Sequence, residues 1–148
     1  MKLNSEGYDL ICKFEGLMLK PYLCSAGVPT IGYGNTFYPN GTKVTLADPS
    51  ITKEYALEIF KFIADTFAKN VNALITSNVT QNQFNALVSF AYNVGIGALK
   101  SSTLLKKVNI NPNDASIALE FAKWNKANRK VVLGLTKRRT AESALYFK

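Results

Sequence analysis

The stretch "EGLMLKPYLCSAGVPTIGYGNT", residues 15–36, is where the chain changes character. Before it, "MKLNSEGYDLICKFE" sets Leu10, Ile11 and Phe14 on one expected helical face, and Gly16 stands where a helix stops. Within and after it, Gly27, Pro29, Gly32, Gly34 and Gly41 punctuate short runs such as "VPTIGYG" and "KVTL", the pattern of a small antiparallel sheet with tight turns. Beyond "DPS" (48–50) the pattern turns helical. Ala56, Ile59, Phe60, Ile63, Phe67, Val71 and Leu74 recur at spacings of three and four and predict one long amphipathic helix. Thr80 and Gln83 have capping-box spacing, with Val79 and Phe84 placed as a hydrophobic staple. They open "QFNALVSFAYNVG" (83–95), a more uniformly apolar helix expected to be the most buried. Shorter helices are expected from about Ser102, from Pro112 at a first helical position, and from about Thr136. The expected fold class is α+β, a single domain over residues 1–148. A small β lobe spans about 16–48, and residues 50–148 with the N-terminal helix form a helical lobe. The long helix joins the lobes, and a cleft between them is the natural binding site.

With 148 residues and 47% hydrophobic content, the chain can bury a real core. Its 18 Lys and Arg against 10 Asp and Glu give a formal charge of +8. Such a surface suits a negatively charged partner: nucleic acid, anionic lipid or bacterial wall polymer. A merely solvated basic face is the alternative. Histidine is absent, so proton transfer must fall to carboxylate, Cys, Tyr or Lys. Cys12 and Cys24, with no CxxC, make neither a zinc site nor a disulfide framework, and no metal or cofactor is expected. The N-terminus carries acids and does not read as a signal peptide. The longest apolar run, Ala86 to Leu99, is too short to span a bilayer.

Glu15 is the only carboxylate between Asp9 and Asp48. A helix C-terminus and the neighbours Phe14 and Leu17 both disfavour its ionised form, as a general acid requires. A surface glutamate at a helix end is the plain alternative. Most glycoside hydrolases use a second carboxylate, and this segment has none. Cys24 and Thr30 are its polar candidates. Each also has a structural reading, as a half-buried hairpin residue and a β-branched strand former.

Glu15, Cys24 and Thr30, followed by "IGYGNT", resemble the phage-type lysozymes, the endolysins of glycoside hydrolase family 24, whose catalytic set is Glu, then Asp or Cys, then Thr at this spacing. "ITKEYA", "NQFNALVSFAYNVGIGALKSSTLLKKVN", "FAKWNKA" and "GLTKRRTAE" extend the resemblance in order along nearly the whole chain. It implies a lysozyme-like fold and cleavage of the β-1,4 bond between N-acetylmuramic acid and N-acetylglucosamine in bacterial peptidoglycan, leading to host lysis. Glu15 would protonate the leaving oxygen while Cys24 and Thr30 position and activate water. Family precedent favours inversion, and the cysteine leaves the stereochemistry open. Thr36, Tyr92, Asn93 and Ser102 match substrate-contacting regions. Many relatives carry His where Asn35 stands, and the change is expected to bear on stability more than on chemistry. The resemblance also implies a monomer that waits in the host cytoplasm and reaches the wall through a holin, with no nucleic-acid partner and no stable membrane insertion. Trp124 reads as core. Lys137, Arg138 and Arg139 suit either phosphates or pairing with Glu142. A Cys12–Cys24 disulfide would block the second catalytic position. The rivals are a lytic transglycosylase, which forms an anhydro product, and a cationic membrane-active protein.

Overall fold

The structure, a computed structural model, describes residues 1–148. Helix α1 (Ser5–Glu15) ends because Gly16 turns to φ +67° and donates its N–H to Cys12 O at 3.3 Å. Its buried line is Gly7 and Ile11, continued before the helix by Leu3, while Leu10 and Phe14 are only half-buried. Gly7 decides the first part of that line, since a Cβ there would stand 2.6 Å from Asn85 Oδ1. The packing resolves into two units, Ile11–Thr66 and Met1–Leu10 with Phe67–Lys148.

In the first unit, β1 (Met18–Leu23) and β2 (Pro29–Gly32) form an antiparallel hairpin with Tyr22 opposite Thr30 and Leu23 opposite Pro29. The register slips between Met18 and Tyr22, where Pro21 has no N–H to give. Ile31 and Asn35 then exchange two backbone hydrogen bonds of 2.9 Å, closing a loop that Gly32 (φ +68°) and Gly34 (φ +77°) make possible. Asn35 is thereby held at 2% exposure. "KVTL" contributes a single bridge, Lys43 to Phe37, rather than a strand. Asp48 gathers this segment, accepting from Tyr38 Oη at 2.7 Å, Thr45 N at 2.9 Å and Thr45 Oγ1 at 2.6 Å. Burial, then that bond to Asp48, pushes the Tyr38 phenol up to about 12. Ile11, Ile31, Tyr33, Val44, Ile59 and Phe60 make the core, with the Tyr33 and Phe60 rings 5.4 Å apart.

Helix α2 (Lys53–Leu74) runs from this unit into the other. Its buried stripe is Ala56, Ile59, Phe60, Ala64, Ala68 and Val71, with Ile63, Phe67 and Leu74 half-buried beside it. In the second unit, α3 (Gln81–Val94) starts on the expected capping box, Thr80 Oγ1 accepting from Gln83 N at 3.1 Å and Gln83 Oε1 accepting from Thr80 N at 2.9 Å. Gln83 through Ala91 are all buried. α4 (Ile96–Ser101), which the sequence pattern did not announce, follows directly, and Ser102 caps α5 (Thr103–Ile110).

Two helix starts differ from expectation. Pro112 opens no helix. Asn111 Oδ1 takes Asn113 N at 3.0 Å, and Asp114 Oδ1 takes Ser116 N at 2.9 Å, so a turn carries the chain to α6 (Ile117–Ala122). The Pro112 carbonyl instead accepts from Tyr146 Oη at 2.7 Å and Gln83 Nε2 at 3.3 Å. The last helix, α7 (Leu133–Tyr146), begins before Thr136 because β3 (Lys126–Ala127) and β4 (Lys130–Val131) form a two-residue hairpin. Asn128 (φ 50°) and Arg129 (φ 67°) occupy its left-handed positions, at a cost of about 1–2 kcal/mol each.

Arg138 and Arg139 are 3% and 1% exposed, so only Lys137 of that trio faces solvent. Glu142, 0% exposed, meets Arg139 Nε at 2.6 Å and Arg138 Nε at 3.4 Å and accepts from Ser89 Oγ at 2.6 Å. Burial pushes the Glu142 carboxyl up, against the pull of the Arg139 and Arg138 guanidiniums and the Ser89 hydroxyl. Trp124 is half-buried with its ring edge-on to Phe90 at 5.4 Å.

Two substitutions separate these contributions in urea titrations. Thr80→Ala, which removes the α3 cap, is expected to cost about 1 kcal/mol. Glu142→Gln, which takes the carboxylate from the two buried guanidiniums, is expected to cost about 3–5 kcal/mol. Equal effects would mean that the buried ion cluster adds no more than a cap.

Candidate active site

Glu15 is the last residue of α1, and the turn at Gly16 sends the chain straight into β1. Its carboxylate lies against the 31–35 loop, where a Cβ built on Gly34 would stand 2.5 Å from Oε2. Any side chain at Gly34 would displace that carboxylate and would be strained at φ +77°.

Cys24 follows β1 at the mouth of the hairpin. Its N–H donates to Val28 O at 3.1 Å, and its carbonyl accepts from Gly27 N at 2.8 Å. "SAGV" thus wraps its backbone around the sulfur. The thiol is held below the ordinary thiol range, chiefly by the backbone N–H groups of Val28 and Ala26, with the Thr30 hydroxyl adding to them. A histidine-free chain here stabilises a thiolate with amide dipoles instead of a cation. Thr30 is 2% exposed, and its hydroxyl donates to Val28 O at 2.8 Å. A hydroxyl has one proton, so Thr30 can give it to that carbonyl or, when Cys24 ionises, to the sulfur. No disulfide joins Cys12 and Cys24.

Tyr22 is the member of this group that residue spacing did not reveal. It stands opposite Thr30 in the hairpin, two residues before Cys24. Burial, then the charges of Glu15 and Cys24, push its phenol up, so it stays a neutral donor beside both groups. The signal that finds it is strand register: a residue paired with a site residue shares its face.

Thr36 lines a 300 Å³ recess with Pro29, Phe37 and Lys43. The other expected contacts, Tyr92, Asn93 and Ser102, belong to the second unit. Tyr92 packs its ring against Phe67 at 5.3 Å. Asn93 is exposed and borders a 470 Å³ recess with Lys123, Trp124 and Lys126. Ser102 is 4% exposed, and its hydroxyl accepts from Leu105 N at 3.0 Å and donates to Leu99 O at 2.7 Å. Those bonds commit it to capping α5. No three His, Cys, Asp or Glu side chains come together in a metal-binding group. No helix is long and apolar enough to cross a membrane.

The phage lysozyme family matches residues 12–142. An endolysin of Bacillus phage PZA is 43% identical over 151 residues, covering 99% of this chain and 55% of the relative. An endolysin of Acyrthosiphon pisum secondary endosymbiont phage 1 is 39% identical over 150 residues, covering 99% of this chain and 98% of the relative. This chain therefore spans about half the length of the first relative and nearly all of the second. Among solved structures, the endolysin from Escherichia coli phage FAHEc1 superposes with a TM-score of 0.91 at 39% identity, covering 100% of this chain and 94% of that one. The muramidase domain of SpmX from Asticaccaulis excentricus gives 0.85 at 32%, covering 99% and 98%. By family match, by identity along the full chain and by fold, this chain belongs to the phage lysozyme family.

Proposed function

We propose that the chain is an endolysin that hydrolyses the β-1,4 bond between N-acetylmuramic acid and N-acetylglucosamine of bacterial peptidoglycan. The observation that carries this reading is the hairpin, which holds the Cys24 thiol among turn amides and the Thr30 hydroxyl, next to a loop that seats the Glu15 carboxylate on Gly34. Relatives named endolysin and muramidase support it.

Glu15 gives its proton to the glycosidic oxygen as the bond to the anomeric carbon breaks. A water held by Cys24 and Thr30 attacks that carbon, and its proton passes to the thiolate. Solvent exchange then restores both groups. Attack from the face opposite the leaving group gives inversion. Tyr22 stays a neutral hydrogen-bond donor in the field of Glu15 and Cys24. Thr36, Tyr92 and Asn93 contact the glycan in this reading, whereas Ser102 shapes the backbone. The protein acts as a monomer, and a holin that opens the inner membrane releases it to the wall.

Mass spectrometry of fragments from purified peptidoglycan tests the reaction. Wild type is expected to release reducing muropeptides, and Glu15→Gln to lower that rate by about 10²–10⁴-fold with an unchanged circular dichroism spectrum. Anhydro fragments would make the protein a transglycosylase. Equal lysis by both proteins without fragments would leave its positive charge as the agent.

The pH dependence of kcat/KM tests Cys24. Because the folded thiol is depressed, the thiolate forms as pH rises through a value below the ordinary thiol range, and activity is expected to rise with it. Cys24→Ser should remove this limb, and Cys24→Asp should move it down to the carboxylate range. A limb that survives Cys24→Ser unchanged would remove Cys24 from the proton transfer.

A further inference from the structure

The 300 Å³ recess of the first unit borders the same turn that wraps Cys24, and Val28, Pro29, Thr36, Phe37, Lys43 and Val44 line it. Backbone register explains why an aromatic ring and a cation meet there. Val44 N donates to Thr36 O and Tyr38 N to Thr42 O, both at 2.9 Å. Phe37 and Lys43 are therefore the non-hydrogen-bonded pair of their antiparallel bridge, the arrangement that brings opposed side chains closest on one face.

The recess is apolar and open. Phe37 and Val28 are 42% and 43% exposed, while Val44 beside them is buried. Lys43 is exposed and enters no ion pair. No carboxylate lines the recess, and Asp48, the next acid along the chain, is engaged by Tyr38 and Thr45. Apolar walls with one available cation suit a short ligand of small apolar groups that carries a carboxylate. A sugar fits less well, because Thr36 supplies the only hydroxyl.

The recess also continues from the proposed reaction site. Val28 O accepts from Cys24 N at 3.1 Å and from Thr30 Oγ1 at 2.8 Å, so one turn serves both places. Two or three residues of extended peptide span about 7–10 Å, enough to leave a sugar held beside Thr30 and enter the space next to Val28.

We propose that this recess receives the peptide stem of an N-acetylmuramic acid residue. Lys43 pairs with a stem carboxylate, and Val28, Phe37 and Val44 take the alanine methyl group. The stem is joined by an amide to the lactyl group of that sugar and begins with alanine followed by an acidic residue. It thus offers an apolar group and an anion within two residues of the glycan. The inference rests on the hydrolytic reading and adds to it a subsite for the substrate's branch.

Two measurements test it. The first is an NMR titration of the full chain with a soluble muramyl peptide bearing an alanyl-glutamyl stem, which needs no turnover. Saturating shifts are expected at the amides of Val28, Phe37, Lys43 and Val44. Lys43→Gln should weaken the binding by about two- to fivefold, as loss of one exposed ion pair does, and Lys43→Glu should weaken it further. The second compares intact peptidoglycan with glycan strands stripped of stems by an amidase. Wild type is expected to favour the stem-bearing glycan through a lower KM, and Lys43→Gln to lose most of that preference. Hydrolysis of neither glycan would count against the hydrolytic reading, and the titration would still judge the recess. No shift at those amides, equal affinity in wild type and Lys43→Glu, or equal KM for the two glycans would overturn the proposal.

Discussion

A helix with water on no side has nowhere to hide a polar side chain. α3 is such a helix from Gln83 to Ala91, yet it carries Gln83, Asn85 and Ser89. Each needs an internal partner, and the partners come from far along the chain. Asn85 Nδ2 donates to Asn4 Oδ1 at 2.7 Å, Gln83 Nε2 to Pro112 O and to Asn113 Oδ1 at 3.3 Å, and Ser89 Oγ to Glu142 at 2.6 Å. Apolar packing around α3 is non-directional and would tolerate small slips. The three polar pegs do not. They fix where the N-terminal segment, the 111–116 turn and α7 attach, and the buried Arg138–Arg139–Glu142 cluster is held through the last of them.

The proposed active site solves a different problem with purely local means. Its hairpin, turn and Gly-bearing loop lie within Met18–Asn35, one short stretch of chain. Electrostatic assistance comes from peptide groups, whose positions follow from backbone conformation and need no distant side chain. This arrangement keeps the thiol environment independent of solution pH across the range in which an imidazole would titrate. Gly34 links conformation to chemistry, because the lack of a Cβ both allows the turn and lets the carboxylate approach.

Much of this was legible in the sequence. The capping box, the buried stripe of α2 and the largely apolar α3 are periodic signals spread over many residues, and packing had only to agree with them. The hairpin with Glu15 at one end and Cys24 and Thr30 across its turn was readable from glycine placement. What the sequence hid were features decided by one or two atoms. Pro112 looks like a helix start, but two Asx side chains and the demand of Tyr146 for a carbonyl keep it in a turn. Asn128 and Arg129 carry no glycine, so the β3–β4 hairpin is announced only by their positive φ. The pairing of Arg138 or Arg139 with Glu142 was one of two readings their helical spacing allowed, and only their burial, with Ser89 drawing Arg138 inward, lay beyond it. Tyr22 is a strand aromatic until register sets it opposite Thr30.

The division of the chain also bears on the order in which it is made. Ile11–Thr66 is continuous, so every partner it needs exists once residue 66 has been synthesised. The other unit is not. Its first ten residues find Asn72 and Asn85 only after a detour through the whole of the first unit, and Glu6 meets Lys148 at 2.6 Å only once residue 148 has been synthesised. A ribosome therefore delivers the proposed catalytic hairpin first, with the buried α3 core still lacking both edges. The buried face of α3 waits for α7 during that interval, which makes the docking of α7 the step on which escape from aggregation depends.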